Sequence, residues 1–135
     1  MDLENSVRVS ASGLRAQALR MRVIAENLAN ADSVAEIPGG QPYRRRIPTF
    51  RAELDKASGA TEVDVPSIKD DKSSFPRVYQ PGNPVADAKG YVLMPNVNAL
   101  TETADMKAAQ RSYEANLNAI EAARNLTLRT IDLLK

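Results

Sequence analysis

Apolar residues recur with helical spacing at both ends of the chain and lose that rhythm in between. Near the N-terminus, Leu3, Val7, Ser10, Leu14, Gln17, Met21, Ile24 and Leu28 are separated by four and three residues in turn. This is the spacing of a heptad seam, with Ser10 and Gln17 as its polar members. Ala11, Ala18 and Ala25 lie beside the seam and offer a partner helix close approach. Arg8, Arg15 and Arg22 repeat every heptad on another face. A helix of this length spans roughly 42 Å. Gly13 weakens it by about 1 kcal/mol relative to Ala.

The same alternation returns at Met106, Gln110, Tyr113, Leu117, Ile120, Arg124, Thr127, Ile131 and Leu134. Asn98 or Thr101 is the expected N-cap of this second helix, with Glu102 or Asp105 favourable in its first turn. Between the helices all eight prolines lie from Pro38 to Pro95, together with five of the six glycines. Short extended segments are expected at Tyr43–Phe50 and Glu62–Val65, and a pair at Arg77–Gln80 and Tyr91–Met94. The polar run Lys69–Ser74 reads as a mobile loop, and the prolines restrict the strands to edges. The expected organisation is therefore mainly α. A helix within residues 1–31 and another within 96–135 form an antiparallel coiled coil, and a small irregular β/loop module, 32–95, lies between them.

A module of that size cannot cover both helices. Long amphipathic ends with interrupted seams finish their packing against neighbours, so a subunit of an assembly is expected.

Composition removes most chemistry. Among 135 residues there is no Cys, no His and no Trp. This excludes disulfides, Cys/His zinc sites, thiol nucleophiles and imidazole acid–base catalysis. The acidic residues show no calcium-loop spacing and specify no catalytic pair. No enzyme activity, metal or cofactor is expected. Eighteen basic residues against seventeen acidic ones leave a net charge of +1, without the basic excess of a nucleic-acid binder. No run approaches the roughly 18 apolar residues of a membrane helix, and Asp2, Glu4 and Arg8 interrupt any apolar core of a leader peptide.

Four segments carry a family resemblance. SASGLRAQALRMRVIAENLANA, Ser10–Ala31, is similar to the N-terminal signature of bacterial flagellar axial proteins, the rod and hook family, with NLANA its most specific part. GGQPYRRR (Gly39–Arg46), NPVADAKGYVLMPNVN (Asn83–Asn98) and RSYEANLNAIEAAR (Arg111–Arg124) resemble the forms found in the proximal rod, in matching order. Residues 2–7 lack a Phe common in relatives, and Gln41 separates the glycine pair from Pro42. The stretch Leu54–Phe75 matches least.

The resemblance implies a structural subunit of the proximal rod, the base of the drive shaft. It would be exported through the flagellar type III apparatus without a cleaved signal peptide and polymerised in the periplasm. The terminal helices would build an inner tube, with the first helix leaving it at Asn30. Implied partners are further copies, the rod proteins FlgB, FlgF and FlgG, the junction protein FliE and the export apparatus. No nucleic acid, membrane insertion or small-molecule substrate is implied. Another axial rod or hook subunit is the nearest alternative, and a coiled-coil adaptor or nucleic-acid binder a more distant one.

On the two seams, the candidate assembly residues are Leu14, Met21, Ile24, Asn27, Leu28 and Asn30, and Met106, Tyr113, Leu117, Ile120, Ile131 and Leu134. Asn27, Asn30, Asn96 and Asn98 are expected to cap helix ends. Arg44, Arg45 and Arg46 form the densest basic run. They are candidates for pairing with a neighbouring subunit, against the plainer expectation that one is solvated and one meets a carboxylate of its own chain.

Overall fold

The computed structural model describes residues 3–135, so Met1 and Asp2 of the expected first helix lie outside the described residues. The elements are helix α1 (Leu3–Ala29), strands β1 (Arg46–Leu54), β2 (Thr61–Asp70), β3 (Arg77–Tyr79) and β4 (Tyr91–Leu93), and helix α2 (Ala99–Leu133). β1 pairs with β2 and β3 with β4, giving two two-stranded sheets. Two terminal helices with a small β module between them is the architecture the periodicity predicts.

Packing groups the chain differently from the division into 1–31, 32–95 and 96–135. One compact unit takes in the chain up to Met21, Pro48–Ser67 and Lys107–Lys135; the other consists of Arg22–Ile47 and Ile68–Met106. Each helix thus contributes to both.

In the first unit the β1–β2 hairpin closes through a tight turn. Asp55 N–H donates to the Ala60 carbonyl (2.9 Å), and Gly59, at φ 69°, donates to the Asp55 carbonyl (2.8 Å). α1 holds the hairpin by polar staples. Asn5 Nδ2 donates to the Ser58 carbonyl at 3.2 Å. Ser12 is buried; its hydroxyl donates to the Val9 carbonyl (2.7 Å) and accepts from Val63 N–H (3.0 Å). Ala16, Ala109 and Ala123 are also buried in this unit.

The buried stripe of α1 therefore consists of Ser12, Gly13 and Ala16, and further along Val23, Ile24 and Asn27. Of the alanines expected to offer a partner helix close approach, Ala18 and Ala25 are exposed and Ala11 is half-buried. Gly13 lies against the Asn116 side chain of α2. A Cβ there would lie 2.8 Å from the side-chain amide of Asn116 on α2. The glycine that propensity marks as a defect makes room for the second helix.

In the second unit β3 and β4 form the expected antiparallel hairpin, with Arg77 opposite Leu93 and Tyr79 opposite Tyr91. Its connection is ordered by Asp87, whose Oδ1 accepts from Lys89 N–H and Tyr91 N–H, both at 2.9 Å. Gly90 adopts φ 83°, and a Cβ there would lie 2.8 Å from the Tyr79 ring. Only glycine satisfies both demands.

Lys69–Ser74 departs from expectation. Lys69 and Asp70 extend β2, and the following turn is tied rather than mobile. Ser73 N–H donates to Asp71 Oδ1 at 2.9 Å, and Arg44 Nη1 donates to the Asp71 carbonyl at 2.8 Å. A polar composition there reflects internal hydrogen bonding, as in Asx turns.

Gly13→Ala gains helix propensity, about 1 kcal/mol, yet forces the Asn116 amide to move. Thermal unfolding is expected to show little net change for Gly13→Ala alone. In the Asn116→Ala background the same substitution should raise the midpoint by about 3–5 °C. Equal shifts in both backgrounds would contradict a close approach at Gly13.

Candidate functional site

A buried carboxylate sets the geometry of the second unit. Glu102, in the first turn of α2, has no exposed surface. The turn is begun by Asn98, whose Oδ1 accepts from Leu100 N–H (3.0 Å) and Thr101 N–H (3.1 Å), the arrangement of an N-cap. Glu102 Oε1 accepts from Arg45 Nε, and its Oε2 from Asn27 Nδ2 at 3.2 Å. Asn27, on the last turns of α1, spends its remaining capacity on the arginine run: Nδ2 donates to the Arg46 carbonyl, and Oδ1 accepts from Arg46 N–H and the Tyr43 hydroxyl, each at 2.9 Å.

Arg45 gathers further acids, with Asp71 Oδ2 at 3.5 Å and Asp105 Oδ2 at 3.8 Å. Burial works against its charge, but Glu102 and then Asp71 outweigh it, and its pKa stands above the ordinary guanidinium value. Asn96 closes the knot from beyond β4. Its Oδ1 accepts from Arg45 N–H (2.7 Å) and its Nδ2 donates to the Asp71 carbonyl (3.0 Å). The Tyr43 phenol is raised by burial, against the opposing pull of Arg46. Asp71 is lowered, first by Ser73 N–H, then by the Ser73 hydroxyl, with Arg45 adding to both.

The three arginines are therefore all engaged within the chain. Arg45 meets Glu102; Arg46 meets Glu26 at 3.1 Å. Arg44 lies over the Phe75 ring at 4.3 Å while bonding loop carbonyls. Of the four asparagines expected to cap, Asn98 does, and Asn30 closes α1 by donating from Nδ2 to the Glu26 carbonyl at 2.9 Å. Asn27 and Asn96 bridge instead of capping, because each faces a backbone segment of the arginine run.

The candidate seam residues fall into three states. Ile24 and Asn27 are buried; Leu14, Met21, Leu28, Asn30, Met106, Tyr113 and Ile120 are half-buried. Leu117 (40%), Ile131 (49%) and Leu134 (83%) are exposed, as are Leu126, Leu128 and Leu133. Sequence reasoning did not find Glu102, Tyr43, Asn96 or Asp71 as parts of one site. A signal existed for Glu102. It begins a seven-residue repeat with Ala109, Asn116 and Ala123, which marks a close-packed stripe of α2. Among the described residues no cluster of acids is arranged to hold a metal.

Comparison with known proteins gives these helices a context. Residues 7–35 match the family described as flagella basal body rod protein, and residues 88–133 the flagellar basal body rod FlgEFG protein C-terminal family. The chain is 49% identical to the flagellar basal-body rod protein FlgC of Agrobacterium fabrum, over 98% of this chain and 96% of that one. It is 41% identical to FlgC of Salmonella typhimurium, over 98% of each, and 39% identical to FlgC of Aquifex aeolicus, over 100% of this chain and 99% of the other.

Removing Glu102 takes the nearest carboxylate from Arg45, leaving it only the more distant Asp71 and Asp105, and takes an acceptor from Asn27. Glu102→Ala is expected to cost about 3 kcal/mol in urea unfolding. Glu102→Met combined with Arg45→Met should recover most of it, since no buried charge is then left alone; a loss below about 1 kcal/mol for Glu102→Ala would contradict the network's role. The lowered pKa of Asp71 stabilises the fold above the ordinary carboxylate range, and that share is lost as pH falls through the folded-state value. Stability should be flat from pH 7 to 5 and fall below about pH 4. Asp71→Asn should lower the plateau and flatten the acid limb of the same titration.

Proposed function

The chain belongs to the family of flagellar basal-body rod proteins named FlgC, and from that premise we propose how it reaches the rod and assembles there. It is a structural subunit of the basal-body rod, not an enzyme, and its neighbours are rod components. On the proposed reading it is made in the cytoplasm, exported by the flagellar type III apparatus without a cleaved signal peptide, and polymerised in the periplasm. Its proposed contacts are further copies, FlgB, FlgF and FlgG along the rod, and FliE at the junction with the membrane ring. Among the described residues no helix is long and apolar enough to cross a membrane.

The observation that carries the polymerisation reading is the apolar end of α2. Leu126, Leu128, Ile131, Leu133 and Leu134 are all exposed, the last two at 87% and 83%. Clustered exposed leucines on a helix end mark an interaction face. Within the chain, α1 and α2 are joined by small residues at Gly13 and by the Asn27–Glu102 bond, which leaves the larger seam residues for other chains. An antiparallel run of the two helices fits the first unit: Gly13 meets Asn116, while the earlier Asn5–Ser10 stretch shares a groove with the later Ala119. Full-length coverage by FlgC relatives disfavours the alternative of a hook-type subunit with a larger middle domain.

Ile131→Asp and Leu134→Asp test the polymerisation reading. Both sites are exposed in the isolated chain, so circular dichroism should show unchanged helix content. In a strain lacking its own copy, neither variant should restore swimming, because each places a carboxylate in a dry contact at a cost of several kcal/mol. Normal swimming by both would exclude the α2 end from assembly.

A further inference from the structure

The exposed faces of the two helices carry opposite charges at one and the same spacing. On α1, Arg15, Ala18 and Arg22 follow one another at three and four residues; on α2, Glu114, Leu117 and Glu121 do the same. All six residues are exposed. The arginine side chains are 71% and 65% exposed, and each makes one ion pair among the described residues, at 3.8 Å, Arg15 with Glu62 and Arg22 with Glu26. Arg8, one heptad earlier, is occupied by Glu4 and Asp55, both at 3.4 Å. Glu114 and Glu121 have no ion pair or hydrogen bond among the described residues. Lys107 precedes them by one heptad, and Arg111 and Arg124 flank them three residues to either side, so the acidic stretch has the length of the Arg15–Arg22 pair.

We infer that the Glu114–Leu117–Glu121 face of α2 docks on the Arg15–Ala18–Arg22 face of α1 in a second copy of this chain. The inference rests on the reading of the chain as a polymerising subunit and names the contact. Leu117 is the large residue between the acids and Ala18 the small one between the bases, so the apolar centres complement each other as the charges do. Because every copy carries both halves, the contact is head-to-tail and repeats, as a ring or helical array requires. Exposed ion pairs add little affinity. Their effect here is to choose partner and register, as flanking charges do in coiled coils, by making wrong juxtapositions repulsive.

Charge reversal and restoration test this in a strain deleted for its own copy, reading the chain's content in isolated basal bodies and the swimming halo. Glu114→Arg/Glu121→Arg and Arg15→Glu/Arg22→Glu are each expected to lower incorporation at least tenfold. The chain with all four substitutions should return to within twofold of the unmodified one. Normal incorporation of either reversed chain overturns the inference. Continued exclusion of the fourfold chain also overturns it, and identifies a different rod protein as the occupant. Absence of the unmodified chain from basal bodies would instead sink the underlying reading of function. Circular dichroism checks that each variant keeps its helix content. Should a reversed chain unfold, Glu114→Gln/Glu121→Gln decides: about threefold lower incorporation supports the contact, and no change overturns it.

Discussion

A carboxylate with no exposed surface, Glu102, needs hydrogen-bond and charge partners inside the fold, and the second unit is built around supplying them. Desolvating such a group costs several kcal/mol. Arg45 supplies the charge and Asn27 a neutral hydrogen bond. Each partner is itself held: Arg45 by Asp71 and Asn96, Asn27 by Tyr43 and the backbone of Arg46. One buried group therefore fixes the end of α1, the arginine run, the turn after β2 and the start of α2. These segments are far apart in sequence, and no hydrophobic contact is as selective about which atoms meet.

The two units solve the same problem with different materials. The second relies on satisfied polar groups, the first on small residues. Ser12, Gly13, Ala16, Ala109 and Ala123 are small and buried, Gly13 leaves room for the Asn116 side chain of α2, and Ser12 uses its hydroxyl to hold β2. Helices joined through small residues keep their large ones. This is why leucines remain on the surface of α2 in a chain with 43% hydrophobic residues. The low aromatic content, 4%, fits a chain whose packing depends on close approach and not on bulky side chains.

The arginine run shows how a motif can mean something other than what its charge suggests. Three consecutive basic residues read as a surface for an acidic partner. In the fold, successive side chains leave the extended backbone in different directions and reach different partners: Arg44 a ring and carbonyls, Arg45 a buried acid, Arg46 an acid on α1. Asn27 and Asn96 show the same limit. Their side chains suit helix caps, but a cap is a local bond, and both were claimed by distant backbone.

Both terminal helices, the β3–β4 hairpin, the Asn98 cap and the end of α1 at Asn30 were legible in the sequence, because periodicity, capping and turn chemistry act over a few residues. Family membership was legible too, from the NLANA stretch and three further segments in order. The tertiary structure decided which face of each helix turns inward and which acid Arg45 meets. It also decided that Gly13 is a contact and not a flaw, and that the Lys69–Ser74 stretch is tied down. Those outcomes depend on pairings between distant residues: a heptad pattern defines several nearly equivalent stripes, and only the partner brought against one of them, at a distance too short for a Cβ or around a charge too costly to leave alone, selects the stripe that is buried.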